Sequence, residues 1–119
     1  MEPDDVDQVR RAFAEAVNMP PAQLERWLQR DESREVGWVD GEPKHGAGGK
    51  ESVGHASGRR IVSIKRKKKA ELTADDLAHM RKVVGYVHRH LAQRPDGDVS
   101  RTRWRYSLMN WGHDPLKQA

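Results

Sequence analysis

Five consecutive cations form the densest charge cluster of the chain: Lys65, Arg66, Lys67, Lys68 and Lys69. Cations this close together neutralise phosphate groups and release their counterions, which is the chemistry of nucleic-acid binding. Arg59 and Arg60 lie at the predicted start of the same helix, where cations oppose the helix dipole unless an anion is nearby. The alternative is a solvated helix end whose lysines complement the C-terminal dipole.

Two smaller groups of cations extend this candidate phosphate-binding surface. The longest predicted helix carries a polar ridge beside Tyr86, because three of its side chains are spaced i, i+7 and i+11: Lys82, Arg89 and Gln93. Such a ridge can follow a DNA backbone, although the surface helices of basic proteins often carry one. Around the start of the last predicted helix, three arginines alternate with Thr102, Trp104 and Tyr106: Arg101, Arg103 and Arg105. These arginines and an exposed Tyr106 can contact phosphates and bases.

The six histidines do not have the spacing of a metal site. His88 and His90 are two residues apart and point about 200° away from each other on a helix, so they cannot bind one ion. His88 is expected near the apolar face. His113 and Asp114 lack an identifiable nucleophile, and we expect them to join Asn110 in hydrogen bonds that hold the C-terminal segment. A small metal-dependent hydrolase that uses His113 and Asp114 is the weakest functional hypothesis.

Composition narrows the functional classes further. The chain has no cysteine, which excludes disulfides, cysteine-ligated zinc and a thiol nucleophile. Together with the spacing of the histidines and the lack of an identifiable nucleophile, this composition predicts no cofactor, no metal ion and no enzymatic activity. No run approaches the ~20 apolar residues that span a bilayer, and the N-terminus is acidic, unlike a signal peptide. The expected location is the cytoplasm.

Charge is distributed unevenly between the two halves of the chain. Residues 1–58 carry 7 Lys and Arg against 12 Asp and Glu, whereas residues 59–119 carry 15 against 6. These local charges of −5 and +9 sum to the net charge of +4. A basic half of this density attracts polyanions, and nucleic acid is the commonest polyanion that a soluble protein meets.

The elements that must position these cations are predicted to be helices. With 119 residues, 35% of them hydrophobic, the chain fits one small domain. Apolar spacing predicts a helix over residues 4–18 and a second after Pro20, together an acidic helical hairpin over residues 4–30. Residues 37–58 contain 7 of the 10 glycines and are predicted to form a flexible loop, in which Trp38 and His55 either close over a ligand or pack at its ends.

The basic part, residues 59–119, is predicted to hold the remaining helices. Thr73 and Asp76 predict a capping box for the longest helix, which ends before Pro95. Asp98 or Ser100 is expected to cap the last helix, whose Trp104 and Trp111 share a core-facing side with Leu108. No stretch shows strand alternation, so the predicted fold is all-α, with about five helices and a long glycine-rich loop.

Four segments resemble the bacterial domain-of-unknown-function family 3140, and the resemblance covers nearly the whole chain: Glu51–His55, Ser57–Val62, His79–Leu91 and Trp104–Pro115. Members of that family are commonly labelled DNA-binding proteins, and the resemblance implies the same for this chain. It supplies no catalytic residues. Lys65 departs from the apolar residue that the resemblance leads us to expect after Ile64.

The sequence therefore predicts a DNA-binding protein of low sequence specificity, with duplex DNA as the favoured partner. Its surface would consist of residues 59–69 and the exposed faces of the last two helices. The alternative from another class is a protein-interaction module that does not bind nucleic acid, in which the acidic hairpin and the glycine-rich loop recruit a partner. The sequence leaves the oligomeric state open.

Overall fold

A computed structural model describes residues 3–39, 42–43 and 51–117, and most of these residues lie in helices. The helices within these ranges are α1 (Pro3–Ala16), α2 (Pro21–Leu28), α3 (Asp31–Glu35), α4 (Val53–Lys65), α5 (Ala74–Leu91) and α6 (Arg103–Asn110). A 3₁₀ turn over Lys69–Glu71 joins α4 to α5. Strands β1 (Trp38–Val39) and β2 (Glu42–Pro43) pair antiparallel, with Trp38 opposite Pro43. The all-α prediction is confirmed, and the short α3 is the helix that the sequence did not indicate.

Local sequence signals account for where several helices begin. Pro21 occupies the first turn of α2, where its missing N–H costs nothing. The predicted capping box of α5 is confirmed, because the Thr73 hydroxyl accepts from the Asp76 N–H (3.1 Å) and the Asp76 carboxylate accepts from the Thr73 N–H (3.0 Å). The cap of α6 is Thr102, whose hydroxyl accepts from the Arg105 N–H at 3.2 Å. Asp98 and Ser100 were the wrong candidates because α6 begins later than predicted.

The prediction of a flexible loop over residues 37–58 is wrong at both ends. Residues 38–39 and 42–43 are the paired strands β1 and β2. Helix α4 begins at Val53, and the Ser52 hydroxyl caps it by accepting from the His55 N–H at 3.0 Å. Residues 40–41 and 44–50 lie outside the described ranges. Arg59 and Arg60 are therefore interior residues of α4 and do not lie at its start, so the helix-dipole argument for an anion beside them does not apply.

Each of the first two helices packs mainly on a later helix. α1 lies against α5 and α2 lies against α4, whereas the sequence predicted that α1 and α2 would pair as a hairpin. α6 contacts α2, α3, α4 and α5, so it is the central element. Its Trp104 and Trp111 are 9% and 4% exposed, and Leu108 is fully buried. The predicted core face of the last helix is thus confirmed. None of the described helices has the length and apolar character needed to cross a membrane.

The side chain of Asn110 is a buried polar link at the end of α6. It is fully buried, and its Oδ1 accepts from Trp27 Nε1 (2.8 Å) and from the Ser33 hydroxyl. Its Nδ2 donates to Ser33 O at 3.0 Å. The amide therefore joins α2, α3 and α6 and leaves none of its own polar atoms unsatisfied.

The segment after α6 is tied to the link between α1 and α2. Gly112 takes a left-handed conformation, with φ of +84°, that ends the helix. His113 Nδ1 donates to Ala16 O at 2.7 Å, and Asn18 and Asp114 exchange hydrogen bonds of 3.0 and 2.8 Å. The predicted anchoring of the C-terminal segment by His113 and Asp114 is confirmed, whereas Asn110 makes its hydrogen bonds elsewhere.

We expect Asn110→Ala to lower the free energy of unfolding by about 3 kcal/mol, because it leaves the buried Trp27 and Ser33 donors without an acceptor. Urea unfolding followed by circular dichroism measures the change. The control is Ser107→Ala, one turn earlier on α6, which should change the free energy by less than about 0.5 kcal/mol. A loss below about 1 kcal/mol for Asn110→Ala would show that the amide does not hold the helices together.

Candidate nucleic-acid interface

The cations of the predicted phosphate-binding run reach other parts of the same chain. Lys65 is half-buried, and its Nζ donates to Val17 O (3.1 Å), just after the end of α1. Burial lowers the pKa of its ammonium group. Lys65 thus caps the negative end of α1, which explains why a cation follows Ile64 at this position.

Two further cations of the run pair with the acidic N-terminal helices. The Arg66 guanidinium donates two hydrogen bonds to the Glu25 carboxylate (2.7 and 2.8 Å), and Lys69 Nζ donates to Asp7 Oδ1 (2.6 Å). Hydrogen bonds from these cations lower the pKa of Glu25 and of Asp7. The acidic and basic halves of the chain therefore neutralise each other where they meet.

Asp76 binds two more of the candidate cations. Lys67 Nζ donates to Asp76 Oδ2 at 2.7 Å, and the Arg60 guanidinium lies 3.6 Å from Asp76 Oδ1. The hydrogen bond from Lys67, together with that from the Thr73 N–H, lowers the pKa of Asp76 to about 2. Asp76, which completes the capping box of α5, thus also holds the segment that follows α4.

Arg59 and Arg105 have intramolecular partners as well. Arg59 Nε donates to Glu51 at 2.7 Å and lowers the pKa of that carboxyl group to about 2. Arg105 donates to both Asp114 oxygens (3.1 and 3.0 Å) and to Ser100 O (2.9 Å). Burial alone would raise the pKa of Asp114, but the hydrogen bonds from Arg105 and from the Leu116 N–H, with the positive charge of Arg105, together hold the pKa below its usual value.

The other cations of the predicted phosphate-binding surface are all exposed. Arg103 is exposed and donates to Glu35 O at 3.4 Å. Four cations are exposed and have no carboxylate within ion-pair distance among the described residues: Lys68, Lys82, Arg89 and Arg101. Lys82 and Arg89 lie on the same helix, about 10 Å apart along its axis. Residues 77–95 contain no Asp or Glu, so α5 carries no carboxylate beyond its first turn.

Lys82 and Arg89 flank a groove of about 290 Å³. We call it the Trp38 groove; Trp38 and Val53 line one part of it, and Tyr86 and Trp111 line another. Trp38 is 52% exposed and Val53 49% exposed, whereas Trp111 is buried. No described residue that lines the groove carries a carboxylate. The sequence left open whether Trp38 closes over a ligand or packs at a loop end, and the structure leaves about half of its surface exposed.

Stacked rings support the wall that contains Tyr86 and Trp111. The ring centroids of these two residues are 4.1 Å apart, with 15° between the ring planes. The stack continues to His79 beyond Trp111, and to His90 and then Trp104 beyond Tyr86, with 10° to 16° between adjacent planes. We call these five rings the aromatic column. Tyr106 was expected to be exposed, but it is partly buried and packs on Trp27. Tyr86, which lies beside the predicted ridge, is also partly buried.

The described histidines form no metal site, because no group of three His, Cys, Asp or Glu side chains converges among the described residues. The prediction that His88 lies near the apolar face is wrong, since His88 is exposed. His90 is half-buried and donates from Nε2 to Trp104 O at 3.0 Å. The hydrolase hypothesis has no geometric support here, because His113 and Asp114 are engaged by Ala16 and Arg105.

Asp76→Asn tests the electrostatic role of the basic run. The folded-state pKa of about 2 lies below the unfolded value of 3.8, so the stabilisation by ionised Asp76 is complete above about pH 4 and is lost as the pH falls towards 2. We expect the variant to unfold at lower urea concentration than the native protein at pH 7, and the two curves to converge near pH 2. Asp75→Asn, an exposed carboxylate in the same turn, is the control. Parallel pH profiles for the native and Asp76→Asn proteins would contradict this role.

The comparisons with known proteins bear on the family of the chain. The family described as a protein of unknown function, DUF3140, matches residues 12–109. No curated protein and no solved structure matches. The matched range runs from α1 to the penultimate residue of α6, and it includes Trp38, Lys82 and Arg89. Because the match covers well over half of its length, the chain belongs to the DUF3140 family.

Proposed function

We propose that this protein binds DNA with low sequence specificity, and that its principal phosphate contacts come from the exposed side of α5. The observation that carries the proposal is the pair of exposed cations Lys82 and Arg89, which have no carboxylate partner among the described residues and border the Trp38 groove. Lys68 and Arg101 are exposed cations that add to the positive field. The family resemblance of the sequence implies the same function.

Three cations of the Lys65–Lys69 run are paired with carboxylates of the same chain, so we place the centre of the proposed interface elsewhere. A cation already 2.6 to 2.8 Å from a carboxylate contributes little net field at a distance. To contact a phosphate it must give up its own partner, so the gain from counterion release is offset. Unpaired cations have no such cost, and for this reason Lys82 and Arg89 replace Arg66, Lys67 and Lys69 as the main candidates.

Low specificity follows from the chemistry of the same surface. Lysine and arginine contacts to phosphates position a protein on DNA but do not read the bases. Sequence is read by side chains that reach base edges in a groove of the duplex, and nothing in the arrangement of Lys82 and Arg89 requires that. Such a protein would act in the cytoplasm, in association with the nucleoid.

A protein-interaction module is the second candidate function, and the exposure of Trp38 and Val53 favours it. Two large apolar side chains in one open groove are typical of a surface that another molecule covers. The acidic N-terminal helices are weaker candidates for partner recruitment, because Asp7 and Glu25 already pair with Lys69 and Arg66.

The double variant Lys82→Gln/Arg89→Gln tests the proposal. Fluorescence anisotropy of a labelled DNA duplex, titrated at several salt concentrations, should show native binding that weakens with salt, by a log–log slope near −0.9 for each phosphate contacted. The double variant should bind more weakly, with a slope shallower by about 2, because two phosphate contacts are lost.

Arg66→Gln/Lys69→Gln is the matched control, since it also removes two positive charges from exposed positions. It should change the slope much less, because its two cations lie against carboxylates in the native protein. Equal effects of the two double variants would mean that only total charge matters and would contradict the assigned surface. A native protein that does not bind the duplex even at 50 mM salt would overturn the proposal itself.

A further inference from the structure

Trp38 differs from the other three tryptophans in its exposure. It is 52% exposed, whereas Trp27, Trp104 and Trp111 are between 4% and 9% exposed. Gly37 precedes it with φ of +107°, and a Cβ atom there would lie 2.9 Å from the Ser52 side chain, which caps α4. Trp38 therefore follows a tight turn that rests on the start of α4. The fold fixes the backbone of this exposed tryptophan in place.

Two further aromatic rings that line the Trp38 groove are already ordered. Tyr86 and Trp111 are stacked on each other and belong to the aromatic column, which fixes their ring planes. Side chains that are ordered before binding lose little conformational entropy when a ligand arrives. The groove is thus lined by one exposed aromatic ring, that of Trp38, and by two stacked rings.

Charge at the rim indicates which kind of molecule fits. Lys82 and Arg89 both line the groove and lie on either side of Tyr86 along α5. Aromatic rings between cations are the arrangement that binds single-stranded nucleic acid, in which bases stack on the rings and the backbone follows the charges. An uncharged apolar segment would gain nothing from the two cations.

We infer that the Trp38 groove binds an unpaired base of single-stranded DNA, stacked on Trp38, while Lys82 and Arg89 contact the adjacent phosphates. This inference rests on the proposed function and deepens it. In a duplex the base faces are covered by their neighbours, so an aromatic groove can receive a base only after it has left the stack. The protein would therefore bind single strands more tightly than duplexes of the same length.

Oligothymidylate of about 12 nucleotides and a duplex of equal length are the probes for this inference. Binding is measured by anisotropy, and the quenching of tryptophan fluorescence reports on Trp38, the exposed one. Trp38→Ala should weaken binding of the single strand by about ten-fold and change duplex binding little. Trp38→Phe should restore most of the affinity because it keeps a ring to stack on, whereas Trp38→Leu should not.

Leu116→Ala removes another exposed apolar side chain, one that does not line the groove, and should leave both affinities unchanged. Equal affinity for single strand and duplex, with no effect of Trp38→Ala, would overturn the inference while leaving the proposed function in place. If Lys82→Gln/Arg89→Gln binds both probes as the native protein does, the proposed function fails and the inference fails with it.

Three other outcomes would also overturn the inference. Full affinity in Trp38→Leu would show that the groove takes an aliphatic contact and not a stacked base. Tighter binding of oligouridylate than of oligothymidylate would assign the groove to RNA. Binding of poly-glutamate with the same dependence on Trp38 would point to an acidic protein segment as the partner.

Discussion

The buried amide of Asn110 is the interaction on which the arrangement of the helices depends. It satisfies donors from α2 and α3. The backbone of the same residue lies close to α4, because Gly58 has no side chain: a Cβ atom there would lie 2.5 Å from the backbone carbonyl oxygen of Asn110. In a small core, a polar group that is bonded at every atom favours one arrangement over its alternatives. Trp111 follows Asn110 directly, so the same contacts set the wall of the Trp38 groove.

Pairing of opposite charges decides which part of the basic half can act on another molecule. Exposed ion pairs such as those of Arg66 and Lys69 stabilise a fold little, so their main effect here is on the electrostatic field. They offset the charges of Arg66 and Lys69 against the acidic helices α1 and α2. On α5, Asp75 and Asp76 are confined to the first turn and the cations Lys82 and Arg89 lie further along the helix. The densest run of cations in the sequence is therefore largely engaged within the chain.

Local patterns predicted the features that depend on neighbouring residues. The capping box of Thr73 and Asp76 and the buried face of Trp104, Leu108 and Trp111 both follow from spacing within one helix. The start of α4 could not be predicted, because Gly54 and Gly58 have low helix propensity and are typical of loops. In the structure these glycines allow α4 to lie close to Trp111 and Asn110, so tertiary packing outweighs helix propensity here. The pair of Lys69 with Asp7, 62 residues apart, is equally invisible to local patterns.

The proposed site would combine two kinds of contact that act on DNA in different ways. Lys82 and Arg89 would attract phosphates over a distance that salt shortens, whereas Trp38 and the aromatic column would act only on a base that has come into contact. Under this proposal the first contact would bring any DNA to α5, and the second would retain only strands whose bases are free to leave the stack. Because every base has a π-face, neither contact would depend on sequence. Selectivity for strand state without selectivity for sequence is therefore what this combination of side chains can supply.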